Sequence, residues 1–142
     1  MWDTDAKRSA TSRRSGHPEL DVTPLVPKDR QVIESYSAEG FRVSGIVHKG
    51  AILVLPRVTI AWPVTAIAEI SVESLAPILG GELRVLLLGC GRRMLPVPPA
   101  LRQALRQREI VVDPMDTGAA CRTYNILLAE NRRVAAALLP FA

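Results

Sequence analysis

Two short strings in the chain carry residue types suited to holding a small anion. Gly89-Cys90-Gly91 closes an aliphatic run, and Asp116-Thr117 opens a stretch with helical spacing. Glycines let backbone N–H groups approach a phosphate, and the first turn of a helix offers unpaired N–H donors at its positive end. Arg122 and Asn125 follow within a few turns, so Gly89, Gly91, Asp116, Thr117, Arg122 and Asn125 form the candidate ligand-binding set. Each string also has a plain structural reading. A dinucleotide loop needs a third glycine at position 94, where the chain has Met94, so the glycine pair also reads as a tight turn leaving a sheet. Asp and Thr are ordinary helix caps, and Asp116 can fill an anion site with its own carboxylate.

Nucleophilic chemistry is harder to assemble. Cys121 falls early in the same stretch, where a helix start can lower a thiol pKa. Its sequence neighbourhood has no histidine: His17 lies in the polar N-terminal part and His48 in an expected turn. The simpler reading of an unpaired cysteine is a small buried residue. Asp113, Asp116 and Glu130 supply carboxylates, but Glu130 is about four turns and roughly 20 Å along a helix from Asp116, too far to share a substrate atom. Cys90 and Cys121 lack metal-ligand spacing and are too few for a disulfide framework, which favours a reducing compartment. The expectation is therefore no catalytic residue, no metal and no cofactor. Trp62 beside Pro63 reads either as core packing or as a partner anchor.

The elements that would position these groups begin at Gln31. Residues 31–36 read as a strand, and 41–55 as a β-hairpin turning at His48-Lys49-Gly50. Val58 to Trp62 adds a short extended piece. A short helix fits 71–79, capped by Ser71 or Ser74 and stopped by Gly80-Gly81. The nearly unbroken aliphatic run from Leu83 to Leu88 predicts a strand buried on both faces, at the sheet centre. Pro98-Pro99 can open a helix to Arg108, and Ile110 to Asp113 is the next strand, giving a βαβ unit. A helix from Asp116 or Thr117 buries Ala119, Ala120, Thr123, Tyr124, Leu127 and Leu128. Val134 to Leu139 has alanines that favour helix, but its shortness and Pro140 favour a closing strand.

Composition sets the remaining bounds. A chain of 142 residues holds one ordinary domain, and 48% hydrophobic residues with only 4% aromatic ones means an aliphatic core. Residues 1–30 mix charge, Ser, Gly and Pro without periodicity and read as a disordered arm before a single domain over 31–142. The net charge of +4 is spread over pairs such as Arg13-Arg14, Arg92-Arg93 and Arg132-Arg133. Without aromatic stacking platforms or a reading helix, that pattern excludes nucleic acid as the expected partner. No apolar run approaches the ~20 residues that cross a bilayer, and the expected compartment is the cytoplasm. The basic residues Arg8, Arg13 and Arg14 raise attachment to a membrane surface, which Asp3 and Asp5 weaken.

The string Met115-Asp116-Thr117, followed by Tyr124-Asn125 and Leu128-Ala129-Glu130, is similar to a family of small domains. That family includes the mitochondrial complex I assembly factor 3 and the adipogenesis-associated domain protein. Leu87-Leu88-Gly89-Cys90-Gly91 and Gly50-Ala51-Ile52-Leu53-Val54 also fit, so the likeness covers residues 31–141. The resemblance implies an α/β fold of three layers around a central mixed sheet, with the final strand antiparallel and a β-hairpin before it. It implies a non-enzymatic binding or assembly role with protein partners, among them respiratory-complex subunits or assembly factors, and leaves weak self-association open. Cys90 stands where relatives carry Thr, so no role attaches to its thiol. The competing expectation is a small-anion or nucleotide-ligand domain, or an enzyme, using a pocket at the Gly89/Asp116 rim.

Overall fold

A computed structural model describes residues 29–141; the arm expected over 1–30 lies, but for Asp29 and Arg30, outside the described residues. The first three strands, β1 (Ile33–Tyr36), β2 (Gly40–Val43) and β3 (Ile46–Lys49), form a small antiparallel sheet. Five more form a mixed sheet: β4 (Ile52–Val54), β5 (Thr59–Ala61), β6 (Val85–Gly89), β7 (Val111–Met115) and β8 (Val134–Leu138), in the order β5-β4-β8-β6-β7. Among the described residues three α-helices complete the fold: α1 (Ala76–Leu79), α2 (Pro99–Gln107) and α3 (Thr117–Ala129).

The layers follow from side chains that alternate across the pleat. Leu53, Leu86, Leu88, Ala135 and Ala137 face α1 and α2 through Ile78, Leu101 and Leu105. Ile52, Val54, Leu87, Ala136 and Leu138 face the other way, toward Ala120, Cys121, Tyr124 and Leu128 of α3 and toward Ile33, Phe41 and Val43 of the small sheet. Both faces of the mixed sheet are thus covered. That explains why the aliphatic run in β6 is continuous rather than alternating.

The final strand lies inside the sheet, antiparallel to β4 and parallel to β6. Five residues cannot sustain an isolated helix whatever their propensity, because nucleation is costly. As a central strand the same residues are all buried. Ala136 presents only a methyl group to α3, and Ala135 and Ala137 do the same toward α1 and α2.

The first hairpin differs from the expected one. Its turn is Ser44-Gly45, both with positive φ (46° and 84°), the primed two-residue turn that matches strand twist. Gly50 (φ 80°) does not close a hairpin; it sends the chain from β3 in one sheet to β4 in the other. The expected helix over 71–79 is a 3-10 turn at Glu73–Leu75 followed by α1, with Ser71 and Ser74 exchanging side-chain hydrogen bonds to each other's backbone N–H. Trp62 is core: it is buried, and its indole N–H donates to the Ser74 carbonyl at 2.8 Å.

Among the described residues, one core group has no partner. The Tyr124 hydroxyl is fully enclosed and makes no hydrogen bond among the described residues, and burial pushes its pKa up. An unmade hydrogen bond in the interior costs about 1–3 kcal/mol. Tyr124→Phe is therefore expected to stabilise the domain by about 1 kcal/mol, read as a raised melting temperature. A melting temperature lowered by the change would show that the hydroxyl has a partner in solution.

Candidate functional site

The strand ends Gly89 and Met115 meet at one rim of the mixed sheet, where α3 starts. Cys90 N–H donates to the Met115 carbonyl (2.9 Å), Leu139 N–H to Gly89 (3.0 Å) and Thr117 N–H to Gly91 (2.8 Å). Thr117 is completely buried. Its hydroxyl accepts from Gly91 N–H at 2.8 Å and donates to the Leu139 carbonyl at 2.6 Å. One side chain thereby ties the loop after β6 to the chain leaving β8. Gly89 is required by space: a Cβ there would lie 2.8 Å from Leu138 Cδ2 and 3.2 Å from Thr117 Cα. Gly91, at φ 91°, is required by conformation.

Asp116 acts as the N-cap of α3, its Oδ1 accepting from Ala119 N–H at 2.9 Å. Asn125 lies more than two turns further along, away from the glycines. Its Oδ1 accepts from Ile33 N–H (3.0 Å) and its Nδ2 donates to the Ile33 carbonyl (2.8 Å), clamping β1 to the helix. Arg122 is exposed, its guanidinium beside Gly118 in the first turns of α3. Of the six candidate residues, Gly89, Gly91, Asp116 and Thr117 are brought together, Arg122 flanks them, and Asn125 serves another junction.

Both thiols are held neutral. Burial raises the Cys90 pKa. At Cys121 burial outweighs the nearby Arg122 charge and pushes the thiol up to about 12. The early-helix position therefore does not activate Cys121, contrary to the effect considered from sequence. A thiol that ionises at 9.0 when unfolded and at about 12 when folded adds stability that is complete below pH 9.0 and is lost as pH rises toward 12. Unfolding free energy measured by urea melts is expected to decline across that window, and less steeply in Cys121→Ala. Equal slopes in the two proteins would place the cause elsewhere.

Sequence reasoning missed an aromatic group at this rim. Tyr36 packs against Phe141 with ring centroids 5.6 Å apart, and the Arg92 guanidinium lies 5.2 Å from the centre of the Phe141 ring. Residues 36, 92 and 141 are too far apart in the chain for periodicity to join them. Beside them is a depression of about 400 Å³ whose lining includes Ala51, Val64, Cys90, Gly91, Leu95 and Pro140. Among the described residues, no group of three His, Cys, Asp or Glu side chains could hold a metal ion. No described helix is long and apolar enough to cross a membrane.

The family described as "Protein of unknown function (DUF498/DUF598)" matches residues 33–139. The chain is 40% identical over 111 residues to NADH dehydrogenase [ubiquinone] 1 alpha subcomplex assembly factor 3 of Danio rerio, covering 77% of this chain and 64% of that protein. It is 36% identical over 110 residues to the Xenopus tropicalis protein of the same name, covering 76% and 60%. The chain thus spans somewhat under two thirds of the length of these relatives. A crystal structure of a Bordetella parapertussis protein superposes with a TM-score of 0.73 at 37% identity, covering 78% of this chain and 96% of that one. With a match running from β1 to just past β8, the chain belongs to the DUF498/DUF598 family and is similar, across its folded part, to complex I assembly factor 3.

Proposed function

We propose that the chain is a non-enzymatic assembly protein that binds subunits or assembly factors of a respiratory NADH dehydrogenase. The observation that carries this reading is identity of 34–40%, over about three quarters of the chain, to proteins bearing the assembly-factor name. The rim chemistry supports it. The Thr117 hydroxyl, Gly91 N–H, Asp116 carboxylate and Asn125 amide are all engaged within the chain. Each thiol is buried and raised in pKa, so neither is poised as a nucleophile. A domain of this kind works through surface recognition.

The test is capture of tagged full-length chain from the membranes of its own cells, with the retained proteins identified by mass spectrometry. NADH dehydrogenase subunits or assembly proteins should be enriched over an untagged control. A strain lacking the gene should accumulate less assembled enzyme on native gels. Normal assembly in that strain, with no such subunits captured, would overturn the reading.

A further inference from the structure

We propose that the rim where β6 ends and α3 begins docks an acidic segment of a partner protein, which places an apolar side chain in the depression and its carboxylates against Arg92 and Arg122. This deepens the assembly reading and rests on it for the partner's identity.

The residue types at this rim are those enriched at protein interfaces: Tyr36, Arg92, Arg93 and Arg122 are exposed, Phe141 is half-buried, and Met94 is 57% exposed in the same loop. The depression begins at Gly91 and Pro140, each next in sequence to one member of the Arg92–Phe141 pair. Its lining from Ala51, Val64 and Leu95 suits an aliphatic side chain.

Charge selects the partner. Among the described residues, no carboxylate lies within ion-pair distance of Arg92 or Arg122, whereas Arg133 pairs with Glu82 (3.4 Å) and Arg132 with Glu130 (3.8 Å). Asp116 does not supply the missing carboxylate, since it caps α3. The Phe141 ring beside it orients the Arg92 guanidinium, whose N–H groups have no hydrogen-bond partner among the described residues and can meet a planar carboxylate. Thr117 fixes the underlying backbone, so the surface is preformed and little ordering opposes binding.

The test uses full-length protein and a fluorescein-labelled peptide carrying one leucine followed by a run of glutamates. A peptide with glutamine in place of glutamate is the control. Wild type should bind the glutamate peptide more tightly in fluorescence anisotropy, with an advantage that falls as salt rises. Arg92→Glu with Arg122→Glu should weaken binding by about tenfold or more, since each reversal turns an attraction into a repulsion. Ala66→Trp, an exposed position on the lip of the depression, should weaken both peptides by crowding the apolar subsite. Arg132→Glu with Arg133→Glu should leave binding unchanged, and matched melting temperatures establish that each variant is folded. Equal weakening by the two double reversals, or equal affinity for both peptides, overturns the proposal. Capture from membranes separates the two claims. If the Arg92/Arg122 variant retains NADH dehydrogenase subunits as well as wild type does, the docking surface fails and the assembly role stands. If neither protein captures them while the peptide still binds through Arg92 and Arg122, the assembly role fails and the surface stands.

Discussion

Thr117→Val is expected to destabilise the domain by about 2–5 kcal/mol, the largest effect of any near-isosteric change at the rim. Valine fills the same volume, so the loss comes from polar groups alone. The Gly91 N–H and the Leu139 carbonyl each lose their partner at a site closed to water. A buried orphan of this kind costs about 1–3 kcal/mol, and two are created together. Thr117→Ser keeps the hydroxyl and forfeits only a methyl group, about 1 kcal/mol. Urea denaturation of the three proteins measures the difference. If Val and Ser cost the same, the hydroxyl is not the fastener described above. Because the fastener underlies the proposed docking rim, Thr117→Val should also weaken the glutamate peptide without touching any residue that meets it.

Gly40→Ala is expected to cost about 3 kcal/mol and to loosen the small sheet before the large one. The φ of Gly40 is not positive, so the glycine is not there for conformational freedom. Its missing side chain makes room for the opposite strand: a Cβ would collide with the backbone carbonyl oxygen of His48 and come within 3.0 Å of Lys49 Cα. Backbone cannot swing aside as a side-chain tip can, so the β2–β3 pairing must shift. Gly118→Ala is the informative contrast. There the obstacle is the hydroxyl of Tyr36, the end of a partly exposed side chain that can move. Amide exchange should show faster opening of β2 and β3 in Gly40→Ala and no such change in Gly118→Ala. Uniform protection in Gly40→Ala would refute the steric account.

The half of the fold after Leu83 was legible in sequence because each element there carries its own local signal. The run into Gly89 has no polar interruption, Pro98-Pro99 marks a helix start, and Asp116 is a cap whose hydrogen bond to Ala119 is present. The first half was less legible for a physical reason. Gly50 resembles a hairpin turn because it does adopt a left-handed conformation, yet which sheet receives the following strand depends on contacts with β8, more than 80 residues away. The true turn had its own signal in Ser44-Gly45, a dipeptide suited to positive φ between two extended arms. At the rim, the meeting of Gly89 and Gly91 with Thr117 was expected, because a glycine turn at one strand end and a helix start after the next belong to one βαβ unit. The use of Asn125 as a clamp on Ile33 was not, because a side-chain amide bonded to distant backbone leaves no trace in periodicity. Tyr36, Arg92 and Phe141 escaped notice for the same reason: three segments bring them together, and none marks its own residue as special.

The position of β8 sets when the mixed sheet can close during synthesis. Synthesis delivers the β4–β5 pair and the β6–β7 pair first, and each then presents a raw edge that residues 134–138 later seal. On the ribosome these two halves wait, apart and adhesive, until β8 has cleared the exit tunnel. Nascent chains stalled before Val134 should consequently recruit chaperones, whereas chains with Leu138 well outside should release them.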